Sequence, residues 1–341
     1  MCRWFAYISP TEPCLIEDVL VAPAHSLIKQ VEDHYLPKLL AHLPDDAQAK
    51  HEADVRNKLF NIDGFGLAYY THTQSDFELC NGPRPILYKT TQPPLHDINF
   101  RSLASNASTL ALFAHIRAAT DTPIVSVNNH PFAFGRHVVM HNGSIGDFKV
   151  IARDLAAKLE SDAYSNIAGS TDSEHFAALY MTYLSRKRGK IAWNETYRLE
   201  NMRDALKQAA TTIFELQRDH QGDKAPANSL NVAVTDGERL VAMRVRNHAT
   251  EQPPSLYWST TAGITLNSKY PDRPNGGENV HAVKKVEEHG LHVIVASEPS
   301  TYKENEWTLI EKNHCLLVGD GGIRTEALVF PSELNSALNS L

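Results

Sequence analysis

The sequence has few cysteines, no long apolar run and no excess of basic residues. Its four cysteines (Cys2, Cys14, Cys80 and Cys315) show no CxxC spacing, which argues against a disulfide framework and a zinc site. No apolar run approaches the roughly 20 residues that a membrane-spanning helix needs. The formal net charge of −7 offers no attraction to nucleic acid or to an anionic membrane surface. Because MCRWFAYISP also lacks the regions of a secretory signal, we expect a protein of the reducing cytoplasm.

The residue patterns that are present predict an α+β protein with largely antiparallel sheets. Of the 341 residues, 42% are hydrophobic, which is enough for a sizeable core. Strand-like runs outnumber segments with helical periodicity. Strands are predicted within residues 2–9, 64–71, 110–119, 136–143, 231–245, 256–261, 292–299 and 314–320. Helices are predicted within residues 148–160, 173–187 and 199–219, and Asp236-Gly237 is expected to form a type I′ turn in the hairpin 231–245.

Cys2 stands directly behind the initiator methionine, at the head of a predicted strand. Removal of Met1 would leave a thiol nucleophile and a free α-amine on one residue. An α-amine has a pKa of about 7.7–8.0, so it can act as a base near neutral pH. This is the arrangement of an N-terminal nucleophile. The alternative is a buried structural cysteine in an accidental position, and Cys2 alone does not decide between the two.

The stretch HNGS at 141–144 ends a predicted strand directly before a predicted helix. An Asn-Gly pair is the strongest short signal for a hairpin turn, and that interpretation leads when the stretch is considered alone. The helical periodicity that follows, however, leaves no second strand to pair. Asn142 offers a side-chain amide and Gly143 a backbone N–H that no Cβ shields, so the pair is also suited to an oxyanion hole.

Two charged residues are suited to binding the ends of an amino-acid substrate. Arg117 lies in the apolar run FAHIRAATDT, where a guanidinium is costly to bury without a carboxylate. Its partner is either an internal acid, which is the usual case, or a substrate carboxylate that matches the planar fork. Asp172 lies in GSTDSEHF, where Thr171 and Glu174 form a capping box. Capping leaves Asp172 to favour the helix dipole or to receive a substrate ammonium.

Two histidines offer a different mechanism. His130 precedes a proline in NNHPF, which fixes an extended backbone, so a structural role is the simpler interpretation. A thiol hydrolase that pairs its cysteine with His115 or His130 is the alternative. Such an enzyme would tolerate an N-terminal tag, whereas an N-terminal nucleophile would not.

Five motifs occur in an order that resembles the class II (N-terminal nucleophile) glutamine amidotransferases: MCR, HIRAAT, NNHPF, MHNG and GSTDSE. The resemblance implies a single type-2 amidotransferase domain over residues 2–341, with Met1 removed. It implies that family's four-layer αββα sandwich of two largely antiparallel sheets. It also implies the site residues: Cys2 as the nucleophile, Asn142 and Gly143 as the oxyanion hole, Arg117 for the α-carboxylate and Asp172 for the α-ammonium of the glutamyl group.

Within this family the chain resembles the stand-alone branch. PAHSL (23–27) and ASEPSTYKENEW (296–307) are similar to segments of the fungal glutathione-degradation amidotransferase-like subunit, and the ergothioneine-pathway γ-glutamyl hydrolase is a second relative. The synthase-fused members have Trp where this chain has Ala118, and His where it has Asp121. The Pro/Gly-rich stretch 270–279 is predicted to be a loop or lid, and residues 280–341 to supply the last strands of the same domain.

The resemblance implies hydrolysis of a γ-glutamyl amide bond, in glutathione or a related compound, through a glutamyl thioester on Cys2. After residue 190 the patterns predict a helix and hairpins and no synthase domain, so we expect hydrolysis and not amido transfer. The alternatives are a glutaminase subunit that supplies ammonia to a separate synthase and a non-catalytic partner of a peptidase complex. The resemblance implies no metal or organic cofactor. The expected partners are the small substrate and, as a candidate, a peptidase subunit.

Overall fold

The computed structural model describes residues 2–30, 63–119, 122–319 and 322–336. Met1 and Asp121, both singled out from the sequence, lie outside the described residues. The chain divides into two compact units, each assembled from separate stretches. The first unit comprises Met1–Tyr70, Ile86–His130 and Tyr257–Leu309, and the second comprises Thr71–Pro85, Pro131–Leu256 and Ile310–Leu341.

The predicted α+β class is confirmed, and the recorded strand pairs of the two large sheets are antiparallel. In the described part of the chain the strands are β1 Arg3–Ile8, β2 Cys14–Leu15, β3 Gly64–Thr71, β4 Arg84–Thr90, β5 Ser108–Thr109, β6 Ala111–Arg117, β7 Phe132–Phe134, β8 His137–Ser144, β9 Ser229–Thr235, β10 Leu240–Arg246, β11 Tyr257–Ser259, β12 Val293–Ala296, β13 Thr308–Leu309, β14 His314–Gly319 and β15 Gly322–Ala327. The helices there are α1 Ile16–Leu20, α2 Thr73–Asp76, α3 Ile98–Asn106, α4 Phe148–Lys158, α5 Ser161–Ser165, α6 Asp172–Leu184, α7 Leu199–Gln221 and α8 Ala262–Thr265. Among these described helices, none combines the length and the apolar character needed to cross a membrane.

In the first unit the described strands form a sheet in the order β13-β11-β12-β1-β6-β3-β4. Strand β1 lies in the interior of this sheet, between β12 and β6. Alternate side chains of β1, β6 and β3, such as Phe5 and Ile116, share one apolar core with residues of α1 and α3. Because side chains alternate along a strand, Trp4 and His115, which are opposite each other in register, lie on the other face.

In the second unit the described strands form a sheet in the order β15-β14-β10-β9-β8-β7. Alternate residues of its central strands, such as Val139 and Val232, share a core with α4, α5, α6 and α7. Helix α6 is buried on most of its surface, as its apolar sequence FAALYM requires. Asn142 and Asn231, which are directly opposite each other, lie on the face away from these helices.

The β9–β10 hairpin is confirmed, but its predicted type I′ turn is wrong. A type I′ turn needs a positive φ at both central residues, and of Asp236 and Gly237 only Gly237 has one, of +92°. The Asp236 N–H donates to the Arg239 carbonyl at 3.4 Å, and the Asp236 carboxylate accepts the backbone N–H groups of Glu238 and Arg239.

The stretch 270–279 contains one isolated bridge, between Asp272 and Glu278, and no helix or longer strand. Its role as a lid stays a prediction. Strands β12 to β15 all lie after residue 280, with β12 and β13 in the first unit and β14 and β15 in the second.

Candidate active site

The predicted site residues are divided between the two units. Cys2 and Arg117 belong to the first unit, and Asn142, Gly143 and Asp172 belong to the second. In the first unit, Cys2 immediately precedes β1, and Arg117 is the last residue of β6. The pairing of Arg3 with Ile116 therefore brings Cys2 and Arg117 to the same end of two adjacent strands.

The backbone of Ala118 holds the sulfur of Cys2. The Ala118 N–H donates to Cys2 Sγ at 3.3 Å, and the Ala118 carbonyl oxygen lies 3.6 Å from the same sulfur. A thiol can donate to that carbonyl, and a thiolate can accept from that N–H. Ala118 thus offers a partner to both protonation states of the nucleophile.

Arg117 is buried at the end of β6, with 3% of its surface exposed. Its Nη1 donates to the Pro123 carbonyl at 3.0 Å, and its Nη2 donates to Thr122 Oγ1 at 2.5 Å. The same Pro123 carbonyl accepts from the Asn128 side chain at 2.9 Å. The loop after β6 therefore fixes the plane of the guanidinium, which is the property that bidentate carboxylate binding requires.

Asn142 and Gly143 lie within a strand, so the interpretation of HNGS as a hairpin turn is wrong. β8 runs to Ser144, and its last residues pair with β9, with Asn142 opposite Asn231 and Gly143 opposite Leu230. Asn142 is 2% exposed. At Gly143, where φ is +150°, a Cβ would lie 1.9 Å from the Ser229 carbonyl oxygen. Only glycine allows this approach of the two strands.

Asp172 is the first residue of α6 and is bonded to the backbone just after the HNG motif. Thr171 Oγ1 accepts the Glu174 N–H at 3.1 Å, so the N-cap is confirmed. The predicted capping box is wrong in its other half, because the Glu174 carboxylate accepts the N–H groups of Ala168 and Gly169 and not that of Thr171. Asp172 Oδ2 accepts the Ile145 N–H at 2.9 Å, and Oδ1 accepts the Ser173 N–H at 2.7 Å. Because a carboxylate has about four acceptor positions, these bonds leave capacity for an ammonium.

His141, the first residue of the HNG motif, links β8 to the first turn of α6. Its Nε2 lies 2.9 Å from the Ser229 carbonyl and its Nδ1 lies 2.8 Å from Ser173 Oγ. A carbonyl only accepts, so Nε2 carries the proton that is donated to Ser229. Burial lowers the pKa of His141, although the charge of Asp172 acts in the opposite direction. A neutral ring thus joins the strand of Asn142 to the helix of Asp172.

His115 and His130 pack against each other in the first unit. Their ring centroids are 4.0 Å apart, with 35° between the ring planes, and both residues are buried. His115 is opposite Trp4 in the strand register, on the same face of β6 as Arg117. This packing supplies a structural role for His130. The use of either ring as a base stays a hypothesis.

Three contributors to these arrangements were not predicted from the sequence. Ser173 lies 3.1 Å from Asp172 Oδ1 as well as beside His141, and Asp63 accepts the Ala119 N–H at 2.7 Å. The third is the backbone of Ala118. The available sequence signal for Ser173 and Asp63 was their position, because each is a polar residue at the start of a helix or directly before a strand. A backbone amide leaves no signal in residue type.

Comparisons with known proteins agree on one family. The family model for "Glutamine amidotransferases class-II" matches residues 53–254, a stretch that includes Arg117, Asn142, Gly143 and Asp172. The curated protein "Probable glutamine amidotransferase DUG3" of Saccharomyces cerevisiae is 31% identical over 322 residues, which cover 93% of this chain and 82% of that protein.

A solved structure is similar over almost the whole chain. It is a glutamine aminotransferase class-II domain protein from Silicibacter pomeroyi, with a TM-score of 0.56 and 21% identity. The match covers 96% of this chain and all of that one. At this identity the likeness bears on the fold alone.

Proposed function

Because the chain belongs to the class II glutamine amidotransferases, we propose that it hydrolyses the amide bond of a γ-glutamyl compound, glutathione or a relative of it. Membership of this family makes the protein an amidohydrolase-type enzyme. The substrate, the thioester and the residue roles belong to the proposal. One observation carries it: Cys2 and Arg117 lie at the same end of adjacent strands. The Cys2 sulfur accepts a backbone N–H, and the Arg117 guanidinium is buried and fixed.

In this proposal Arg117 and Asp172 bind the glutamyl head group. Arg117 receives the α-carboxylate, for which the loop-fixed plane of its guanidinium is suited. Asp172 receives the α-ammonium. Its position in the first turn of α6 places its carboxylate where the helix dipole favours negative charge.

The reaction begins after Met1 has been removed. The α-amine of Cys2 takes the thiol proton, and Sγ attacks the γ-carbonyl carbon, forming a C–S bond and an oxyanion. Asn142 and Gly143 donate to this oxyanion. Burial of Asn142 supports this role, because fixed donors stabilise charge more strongly where water is excluded. Collapse breaks the C–N bond, and the α-ammonium returns its proton to the leaving amine. Water then cleaves the glutamyl thioester to give glutamate and the free thiol.

The proposal also covers the organisation of the protein. We take residues 2–341 to be one catalytic domain. The cytoplasm, inferred from the cysteine content, is the proposed location. A peptidase subunit is a candidate partner on sequence resemblance alone.

The test is turnover of a panel containing glutamine, glutathione and other γ-glutamyl compounds by protein that begins at Cys2, with Cys2→Ala as the control. Release of glutamate and the free amine from the γ-glutamyl compounds is the expected result. Turnover of glutamine alone, with release of ammonia, would support the glutaminase subunit instead. Absence of turnover from a folded chain with a free Cys2 would support the non-catalytic partner.

The terminal amine can be tested separately with matched tags. An uncleavable N-terminal tag should abolish turnover, whereas the same tag at the C-terminus should leave it unchanged. Mass spectrometry of active protein should show a chain that starts at Cys2. Full activity of the N-terminally tagged protein would exclude the amine as the base and favour a Cys-His pair.

A further inference from the structure

We propose that Thr122 is a positioning residue for the guanidinium of Arg117, and that it thereby sets the preference of the site for compounds with an α-carboxylate. The inference rests on the proposed function, in which Arg117 receives that carboxylate. Thr122 lies in the loop after β6, five residues beyond Arg117. It acts through its contact with the arginine and needs no contact with the substrate.

The loop contacts Arg117 through two different nitrogens. Nη1 donates to the Pro123 carbonyl at 3.0 Å, and Nη2 donates to Thr122 Oγ1 at 2.5 Å. The Thr122 carbonyl lies farther from Nη2, at 3.4 Å, so the hydroxyl makes the shorter of the two contacts between these residues. Because the guanidinium is a rigid plane, two anchored nitrogens restrict its orientation, whereas a single anchor at Nη1 would allow it to pivot.

The local sequence restricts the position of the Thr122 hydroxyl before any substrate binds. Thr122 precedes Pro123, and the residue before a proline is held in extended conformations. Threonine is also β-branched, which limits its χ1 rotamers. Both restrictions reduce the conformational entropy that is lost when the hydroxyl is held against Nη2. The Thr-Pro pair is therefore suited to presenting a fixed acceptor.

The rest of the loop is held by hydrogen bonds around Pro123. The Pro123 carbonyl accepts from Asn128 Nδ2 at 2.9 Å and from the Val125 N–H at 3.1 Å, as well as from Arg117. Asn128 is buried, and its own N–H donates to the Val125 carbonyl at 3.1 Å. All of these residues belong to the first unit, so that unit by itself holds Thr122 beside Arg117.

The loop and a substrate carboxylate can bind the same guanidinium. An arginine side chain has five N–H donors, and bidentate binding of a carboxylate uses two of them. Arg117 is buried, so its hydrogen bonds form where water competes little. Loss of the Thr122 hydroxyl should weaken binding of the α-carboxylate about tenfold, near the lower end of the range for one bond to a charged group, because the Pro123 anchor remains.

The test uses protein that begins at Cys2 and measures how well L-glutamate and 4-aminobutyrate protect Cys2 from alkylation by iodoacetamide, with the modified peptide identified by mass spectrometry. Both compounds have the ammonium group and the distal carboxylate, but 4-aminobutyrate lacks the α-carboxylate. Thr122→Val keeps the β-branched shape and removes the hydroxyl. The glutamate concentration for half protection should rise about tenfold, while that of 4-aminobutyrate stays within about twofold of the wild-type value. In turnover, KM for a γ-glutamyl compound should rise by a similar factor with kcat nearly unchanged, because uniform binding is lost.

Two further variants separate positioning from a general effect on the fold. Thr122→Ser keeps the hydroxyl and loses only the χ1 restriction, so it should restore most of the wild-type preference for glutamate. Thr90→Val is the matched control. It removes another hydroxyl of the first unit, one that accepts the Gln92 N–H at 3.1 Å, and it should change neither protection value.

A folded Thr122→Val protein with the wild-type protection by glutamate would overturn the inference. Stronger protection would also overturn it, because the hydroxyl would then compete with the carboxylate for Arg117. If Thr122→Val does not fold, Thr122→Ala takes its place with the same expected rise. Equal protection of the wild-type protein by both compounds, or none by glutamate, would remove the α-carboxylate site and this inference with it. Because protection needs no turnover, a wild-type protein that prefers glutamate but cleaves no γ-glutamyl compound would refute the proposed function alone.

Discussion

Replacement of Gly143 by alanine should lower kcat, because the added Cβ forces two paired strands apart. The new Cβ would lie 1.9 Å from the Ser229 carbonyl oxygen, whereas real Cβ atoms essentially never lie within 3.0 Å of such a neighbour. β8 and β9 must therefore separate locally by roughly 1 Å, a displacement that typically lowers a rate about 10²-fold. The displaced atoms include the Gly143 N–H, which is one of the two proposed oxyanion donors.

The expected kcat of Gly143→Ala is therefore lower by about 10²–10³-fold, the range for loss of one oxyanion donor. Overpacking of this kind also lowers the free energy of unfolding by about 1–3 kcal/mol. The two effects are separable, because kcat is measured well below the melting temperature and stability by denaturant titration. Alkylation of Cys2, which belongs to the other unit, should be unchanged.

Gly322→Ala is the matched control, because Gly322 belongs to the same unit and also has a positive φ, of +89°, but a Cβ there meets nothing within 4 Å. This change should bring only the backbone strain of a non-glycine residue, about 1–2 kcal/mol. Its kcat should stay within about twofold of the wild-type value. If Gly143→Ala matches Gly322→Ala in both kcat and stability, the argument from strand spacing fails.

The remaining predictions concern the other site residues and one buried histidine. Asn142→Ala should lower kcat by about 10²–10³-fold with KM nearly unchanged, and a wild-type kcat would remove it from the oxyanion hole. Arg117→Lys loses the bidentate fork and should raise KM in steady-state assays, as should Asp172→Asn. A lower melting temperature with a normal KM would instead show that these residues have a structural role. Burial lowers the pKa of His292 to about 4. Between about pH 6.5 and pH 4 the unfolded chain therefore binds a proton at this histidine and the folded chain does not. Protonation of this histidine does not reduce the free energy of unfolding above about pH 6.5, but reduces it by roughly 3 kcal/mol as the pH is lowered to 4. His292→Gln, which keeps an acceptor for the Gly263 N–H, should flatten that decline in urea titrations; an unchanged slope would contradict the assignment.

The long, regular elements could be predicted from the sequence, and the marginal ones could not. β1, β3, β6 and β8 are nearly continuous runs of buried residues, and α4 and α7 repeat apolar residues at helical spacing. β4 is not such a run, because it lies at the edge of its sheet, is partly exposed and contains Pro85. α3 was also missed, since it buries only Phe100 and Ala104 and exposes Ile98.

The residues proposed to act on the substrate could be predicted from the sequence, but the residues that hold them in place could not. The turn interpretation of Asn142-Gly143 failed because the partner strand β9 begins only at Ser229, far along the chain, where no local pattern reveals the pairing. The hydrogen bond from the Ala119 N–H to Asp63 depends in the same way on contacts between distant segments. Physical chemistry selects residues by type, whereas their spatial partners follow from the topology.

The interior position of β1 also determines when each of its neighbouring strands can pair with it during synthesis of the chain. One neighbour, β6, is complete once Arg117 has been synthesised, but the other, β12, begins only at Val293. At about 5–20 residues per second, translation reaches that point roughly 15–60 s after it starts. Until then one edge of β1 has no partner strand. The last seventh of the polypeptide, from Val293 onward, thus completes the sheet around the strand that follows the proposed nucleophile.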